Sequence, residues 1–174
     1  DKTGTITSGE FKVQNVETVG SHVSNAQLLS MAAAIEAVST HPIATSIVSE
    51  AKEQGITVEA SDFVQELAGE GMVGIVNGQQ VLVGNRRLME RYAVQGYPTE
   101  ATEYGTEVLV AEGNVYLGRI IIADEARPDS AAAIADLNGQ DIKTVMLTGD
   151  AEASANYIAK ETGVSAVRAQ LLPQ

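Results

Sequence analysis

The chain has 174 residues, enough for one domain or two small ones, and 44% of them are hydrophobic, enough for real cores. Cysteine is absent, which excludes disulfides and thiolate metal sites and makes the cytosol the natural compartment. A net charge of −12 argues against nucleic acid as a partner, and no run of about 18 apolar residues could span a membrane.

The first half of the chain predicts a strand, two helices and then a run of strands. These elements are expected at 10–18 (strand), 26–38 and 43–54 (helices), and 57–59, 63–67, 74–76 and 79–83 (strands). Ser24 or Asn25 can cap the first helix, and Pro42 suits the first position of the second. Asn77-Gly78 is a strong signal for a β-hairpin.

The second half changes its pattern part-way along. We expect a helix at 86–92, a loop or a fraying helix at 93–105, a hairpin at 106–112 and 115–123, a helix at 128–138, a strand at 142–147, a helix at 151–162 and a strand at 164–167. The final helix–strand alternation predicts a parallel sheet with crossover helices. The two ends are therefore predicted to form one α/β domain (1–13 and 116–174), into which a second domain (14–115) is inserted.

The opening residues have the composition of a phosphoryl-transfer site. The carboxylate of Asp1 can attack a phosphoryl group and form an aspartyl-phosphate, which splits one hard displacement into two easier ones. Lys2, the hydroxyl and N–H groups of Thr3 and Thr5, and Mg²⁺ could offset the phosphate charge. Gly4 lets the backbone approach a ligand. A turn in a disordered terminus is the alternative.

A second polar segment, Thr148-Gly149-Asp150, lies between a predicted buried strand and a helix. Ligands of open α/β sheets bind at the carboxyl ends of strands, and helix N-termini present N–H groups to anions. Thr148 can hydrogen-bond a phosphate oxygen while Gly149 lets the backbone approach. Asp150 could cap the helix or help to hold the phosphate–Mg²⁺ region. Taken alone, such a tripeptide is more often only an N-cap.

The motifs together resemble a known family. The first seven residues, DKTGTIT, resemble the phosphorylation motif of P-type ATPases, ion pumps of the haloacid-dehalogenase superfamily. Residues 146–150, MLTGD, are similar to that family's second phosphate-site motif. Residues 39–42, STHP, resemble the Ser-x-His-Pro signature of heavy-metal (type IB) pumps. The matches follow the family's order and extend over nearly the whole chain.

The resemblance implies a fold and a set of ligands. The fold would be α/β: a partial Rossmann-like haloacid-dehalogenase phosphorylation (P) domain with an inserted α+β nucleotide-binding (N) domain, an antiparallel sheet flanked by helices. The ligands would be ATP and Mg²⁺, with Asp1 and Thr3 at the metal. ATP would phosphorylate Asp1, and this step would drive metal export.

Glu36 and His41 are the predicted contacts of the adenine base. A carboxylate such as Glu36 can accept a hydrogen bond from the adenine amino group. Pro42 pushes His41 toward an extended backbone, from which its ring can stack on or hydrogen-bond a purine. A lone histidine is more often a structural residue, and only the resemblance favours the nucleotide.

Five further positions enter through the resemblance. Gly69 and Gly71 would leave room for ATP along a loop; a hairpin follows them, so the dinucleotide fingerprint is excluded, and a β-bulge or tight loop is the alternative. Asn85 would lie near the nucleotide, although alone it is a helix N-cap. Asp124 and Arg127 would lie near the phosphate and nucleotide, although alone they belong to an acidic loop before a helix.

The sequence also suggests a fragment of a larger pump. Residues 171–174 resemble the segment just before a family lysine that, like the later Gly-Asp-Gly-x-Asn-Asp segment, is missing here. We expect a cytosolic part of an integral membrane protein, in a bacterial plasma membrane, that binds ATP without efficient turnover. Its partners would be the transmembrane and actuator domains. Residues 169–174 look more like zinc, cadmium and cobalt exporters than copper exporters.

Two other functions remain open at this stage. A soluble haloacid-dehalogenase phosphatase would use the middle of the chain as a substrate-selecting cap. Such enzymes usually carry a second aspartate two residues after the nucleophile, where this chain has Thr3. A non-catalytic nucleotide-binding regulator is the third possibility.

Overall fold

The computed structural model describes residues 1–20 and 22–172, so Pro173 and Gln174 of the predicted closing motif lie outside the described residues. The elements in chain order are β1 (Thr7–Thr18), α1 (Asn25–Glu36), α2 (Pro42–Glu53), β2 (Phe63–Leu67), β3 (Gly71–Val76), β4 (Gln79–Gly84), α3 (Arg86–Arg91), β5 (Thr106–Glu112), β6 (Val115–Ala126), α4 (Ser130–Gly139), β7 (Val145–Leu147), α5 (Glu152–Thr162) and β8 (Ala166–Arg168). Across these residues, no helix is both long and apolar enough to cross a membrane.

The chain forms two compact units. Unit 1 contains Asp1–Phe11, Glu103–Gly105 and Ala123–Gln174, and unit 2 contains Lys12–Thr102 and Thr106–Ile122. The predicted α/β fold class is confirmed, with an antiparallel sheet and a separate parallel strand pair. The domain boundaries at 13/14 and 115/116, and the roles assigned to the domains, stay predictions.

Unit 2 is built on an antiparallel sheet. The six-stranded sheet has the order β1-β6-β5-β4-β3-β2, and each consecutive pair from β2 to β6 is antiparallel. Asn77 and Gly78 both have positive φ (51° and 74°) between the paired residues Val76 and Gln79. Two consecutive positive φ angles suit the right-handed twist of a tight hairpin, which explains the Asn-Gly sequence.

Helices cover both faces of this sheet. Successive strand residues point to opposite faces, so Val81 and Val83 pack in the cluster that contains Leu28 and Ile35 of α1. Leu82, between them, packs instead with Leu88 of α3. The central strands are therefore apolar throughout, which accounts for their continuous hydrophobic runs.

The two helices before the sheet begin as their sequences predict. Ser24 closes a capping box, in which its hydroxyl accepts from the Gln27 amide at 3.1 Å and the Gln27 side chain accepts from the Ser24 amide at 2.8 Å. His41 is the N-cap of α2, and its Nδ1 accepts from the Ile43 amide at 3.2 Å. This bond fixes the tautomer of a neutral His41, with the proton on Nε2.

Unit 1 holds the parallel pair. β7 and β8 pair in parallel, and Met146, Ala155 and Ile158 form a small core beneath them. Within the same unit, the rings of Tyr104 and Tyr157 stack with their centroids 4.0 Å apart. Gly163 ends α5 in the left-handed conformation that favours glycine.

Several predicted elements are displaced or absent. The strand expected at 57–59 is irregular chain, because Val58 packs on the core without a strand partner and β2 is the sheet edge. The strands expected at 142–147 and 164–167 are shorter and lie at β7 and β8, because only three residues of each strand are paired. The helix expected from Pro128 begins at Ser130.

Gly71 is required by close packing of the backbone. Its φ is +138°, and a Cβ there would lie 2.4 Å from the carbonyl oxygen of Val83. Gly69 also has positive φ (+75°), but a Cβ there would meet no atom within 4 Å. Alanine at position 69 would therefore introduce backbone strain alone, whereas alanine at position 71 would introduce both strain and steric overlap.

We expect Gly71→Ala to lower the free energy of unfolding of unit 2 by about 2–4 kcal/mol, through strain plus overpacking. Gly69→Ala, the matched control, should cost only about 1–2 kcal/mol, the strain alone. Urea denaturation followed by circular dichroism measures both. Equal losses for the two variants would contradict the packing explanation.

Candidate functional site

The opening loop of unit 1 is folded tightly around one carbonyl group. The carbonyl oxygen of Lys2 accepts from the amides of Thr5, Ile6 and Thr7 at 3.2, 2.9 and 3.0 Å. The carboxylate of Asp1 is exposed and accepts from the Lys2 amide at 3.0 Å. The candidate nucleophile is thus accessible, while the residues after it are held in place.

The structure brings this loop and the Thr-Gly-Asp turn together within unit 1. The buried ammonium group of Lys2 forms an ion pair with the carboxylate of Asp150. Thr148 follows β7, and its hydroxyl accepts from the Asp150 amide at 3.1 Å. Asp150 does not cap α5, because Ala151 occupies the N-cap position without a side-chain bond. Asp150 instead positions the side chain of Lys2.

The oxygen atoms of this loop suit a Mg²⁺ ion that is also bound by phosphate. Asp1 offers an accessible carboxylate, and Thr3 beside it is exposed. No cluster of three or more histidine, cysteine or acidic residues that could hold a metal occurs in the described part of the chain. Mg²⁺ commonly uses only one or two carboxylates and completes its shell with phosphate and water.

Asp124 holds the start of β1. Its carboxylate accepts from the hydroxyl of Thr7, from the Gly9 amide at 3.0 Å and from the hydroxyl of Ser8 at 3.4 Å. Arg127 is exposed and lies 3.6 Å from the Asp129 carboxylate. The structure gives Asp124 a positioning role in unit 1, and the contact of either residue with a nucleotide stays a prediction.

Unit 2 contains an open cavity of about 260 Å³. All five residues that the resemblance assigns to the nucleotide in this part of the chain line it: Glu36, His41, Gly69, Gly71 and Asn85. They come from α1, the N-cap of α2, the loop after β2, the start of β3 and the N-cap of α3. Residues separated by up to 49 positions thus share one surface.

Glu36 is the most perturbed group in the cavity. Its side chain ends α1 and only 8% of the residue is exposed. Burial, and secondarily the negative charge of Glu66, raise the pKa of Glu36 from 4.5 to about 7. The folded state therefore holds this proton more tightly than the unfolded chain, and the stability it contributes is lost as pH rises from about 4.5 through 7.

Asn85 ties the glycine loop to α3. Its side-chain amide donates to the carbonyl oxygen of Gly69 at 2.8 Å, and its Oδ1 accepts from the amides of Arg87 and Leu88 at 3.1 and 3.3 Å. The N-cap prediction is confirmed. Because these atoms are engaged, Asn85 shapes the cavity wall through the position of the Gly69 backbone.

Sequence reasoning missed three charged groups at the cavity. Glu66 and Glu107 line it, and so does Glu70, which forms two 2.6 Å bonds with Arg91. The Arg91 guanidinium lowers the pKa of Glu70. The position of Glu70 between the two glycines of the predicted loop could have identified it, whereas Glu66 and Glu107 required the register of the sheet.

The family model for haloacid dehalogenase-like hydrolases matches residues 1–172. The chain belongs to this family. It is 41% identical over 175 residues to a cadmium, zinc and cobalt-transporting ATPase of Bacillus subtilis, and 44% identical over 176 residues to a zinc-transporting ATPase of Synechocystis. Both comparisons cover 100% of this chain and 24% of the relative, so the chain spans about a quarter of their length.

Solved structures agree with these relatives. A zinc-transporting PIB-type ATPase in its E2.Pi state is 35% identical, with a TM-score of 0.86 over 99% of this chain and 28% of that chain. The catalytic domain of the CPx-ATPase CopB-B, described with conformational changes upon nucleotide binding, is 26% identical with a TM-score of 0.71 over 98% of this chain and 61% of that chain. This haloacid-dehalogenase chain is thus homologous, over its full length, to heavy-metal P-type ATPases.

Proposed function

We propose that the chain is the ATP-binding and phosphorylation region of a heavy-metal-translocating P-type ATPase. The observation that carries the proposal is the cavity of unit 2, which collects all five residues assigned to the nucleotide there. The ion pair of Lys2 with Asp150 adds support, because it joins the two candidate phosphate motifs in unit 1.

In this proposal unit 2 binds the adenine base. Glu36 accepts a hydrogen bond from the 6-amino group, and the exposed ring of His41 contacts the purine with its Nε2 edge free of the helix cap. The Gly69–Gly71 loop borders the triphosphate, since glycine allows close approach of a ligand. Asn85 keeps that loop in place.

Unit 1 carries the chemistry. The carboxylate of Asp1 attacks the γ-phosphorus of ATP, the bond to the bridging oxygen of ADP breaks, and an aspartyl-phosphate forms. Lys2, Thr148 and the backbone around Gly149 stabilise the phosphoryl oxygens, and Asp150 holds Lys2 in position. Mg²⁺ held by Asp1 and Thr3 would supply charge neutralisation to the phosphate.

The whole protein proposed here is a pump with this chain as its cytosolic part. Its partners are transmembrane and actuator domains of the same polypeptide, in a bacterial plasma membrane, and its cargo binds among the membrane helices. Zinc, cadmium or cobalt is the proposed cargo, because three relatives named for those metals are 37–44% identical, whereas five named for copper are 33–39% identical.

Isothermal titration of the 174-residue chain with ATP tests the nucleotide site. We expect saturable binding that Glu36→Ala and His41→Ala each weaken about tenfold, the value of one lost hydrogen bond or stacking contact. Glu53→Ala and His22→Ala are matched controls, because both side chains are exposed and neither lines the cavity; they should bind as the wild type does.

Absence of binding, or equal binding by all four variants, would contradict the assignment. Rapid hydrolysis of small phosphoesters by the chain would favour the soluble phosphatase instead. If the protein binds ATP but never becomes phosphorylated, the result would favour a non-catalytic nucleotide-binding regulator.

A further inference from the structure

Glu36 is a buried residue whose carboxyl oxygens have no hydrogen-bond partner among the described residues. Only 8% of the residue is exposed, and none of the described residues hydrogen-bonds its carboxyl oxygens. No polar side-chain atom of the described residues is both sealed from solvent and without a partner. Because Glu36 lines the cavity, its oxygens face the open space there and are available to a ligand.

The other charged groups of the cavity are differently placed. Glu70 is paired with Arg91, and Glu107 is paired with Arg86 and Arg119. Glu66 on β2 is exposed, and its charge acts directly on Glu36. The ring of His41 is bound to the backbone of α2 through Nδ1. Glu66 is therefore the carboxylate positioned to influence the proton on Glu36.

The two protonation states of Glu36 would recognise different ligands. An ionised carboxylate only accepts hydrogen bonds, whereas a carboxylic acid also donates one. The 6-amino group of adenine donates, and the 6-oxo group of hypoxanthine accepts. An ionised Glu36 would accept a hydrogen bond from the 6-amino group of adenine and would repel the 6-oxo group of hypoxanthine. A protonated Glu36 would donate a hydrogen bond to that 6-oxo group.

We propose that Glu36, a buried residue in the wall of the cavity, makes the purine selectivity of the cavity depend on pH. Above neutrality the cavity selects 6-amino nucleotides, and in mild acid it also accepts 6-oxo nucleotides. The inference rests on the proposed nucleotide site, but it adds a specificity mechanism that the site does not require.

The test is titration of the 174-residue chain with ATP and, separately, with inosine triphosphate between pH 5.5 and 8.5, buffer values chosen about 1.5 units either side of the Glu36 pKa of about 7. The ratio of the two affinities is the readout, because titration of the triphosphate affects both ligands alike. We expect the preference for ATP to rise about tenfold across this range, the equivalent of one hydrogen bond.

Two variants identify the titrating group. Glu36→Gln, whose amide both donates and accepts at any pH, should show a small preference that does not change with pH. Glu66→Gln, at an exposed position that should tolerate substitution, removes the charge that adds to the effect of burial in raising the pKa of Glu36. In that variant the change in preference should move to lower pH.

The outcomes separate the two proposals. Binding of ATP with a preference that is constant from pH 5.5 to 8.5, across the Glu36 pKa of about 7, would overturn this inference and leave the proposed function standing. Persistence of the pH dependence in Glu36→Gln would also overturn it, because another group would then be responsible. Failure to bind either nucleotide at any pH would overturn both.

Discussion

Replacement of Asp1 by asparagine is expected to abolish transfer of the γ-phosphoryl group from ATP to the proposed intact pump. The asparagine amide is not nucleophilic, so no covalent intermediate can form, and turnover should fall by about 10³-fold or more. Among the described residues, the exposed carboxylate of Asp1 hydrogen-bonds only Lys2 and Thr5 of its own loop, so the fold should persist. Incubation with radiolabelled ATP and acid quenching measures the phosphoenzyme, which should be labile to hydroxylamine.

Asp129→Asn is the matched control for that experiment. Asp129 is an exposed carboxylate in the same unit, with Arg127 as a weak partner at 3.6 Å, so labelling should stay at the wild-type level. A labelled Asp1→Asn protein would show that another residue is the phosphate acceptor.

Glu107→Ala is expected to produce a large loss of stability in unit 2. Glu107 is only 12% exposed at its side chain and accepts from Arg86 at 2.7 Å and from Arg119 at 2.9 Å. Removal of the carboxylate would leave two largely buried guanidinium groups without their shared partner. We expect the free energy of unfolding to fall by about 2–4 kcal/mol, below the largest values for fully buried pairs because Arg86 is 27% exposed.

Glu112→Ala provides a matched control on the same strand, because no ion pair holds that carboxylate among the described residues. Its effect should stay within about 0.5 kcal/mol. Urea denaturation of both variants, followed by circular dichroism, measures the difference. A Glu107→Ala protein as stable as the control would show that the ion pairs contribute nothing net.

The sequence predicted correctly those features that depend on residues close together in the chain. The cap at Ser24, the proline that begins α2 and the Asn77-Gly78 turn are set by groups a few residues apart, and each lies where it was expected. The prediction of a strand at 57–59 was wrong. Val58 is apolar between polar neighbours, as in a strand, but it packs on the core in a segment that pairs with no strand. Pairing is a tertiary property that alternation alone does not reveal.

For the candidate sites too, sequence motifs suggested individual residues, but the contacts between them depend on the fold. Family motifs nominated residues such as Glu36 and Gly69, but only the fold could show that they line one cavity. The pairing of Lys2 with Asp150 spans 148 positions, and no periodicity connects the two. The influence of Glu66 on Glu36 likewise depends on the fold, which brings both residues to the same cavity.

The most direct measurement is to locate bound nucleotide on the chain by nuclear magnetic resonance, with a non-hydrolysable ATP analogue and Mg²⁺. Amide shifts should be largest in unit 2 around Glu36, His41, the 69–71 loop and Asn85, and Glu36→Ala should weaken them. Largest shifts at residues away from this cavity, or none at saturating analogue, would contradict the assignment of unit 2 as the nucleotide-binding part of the protein.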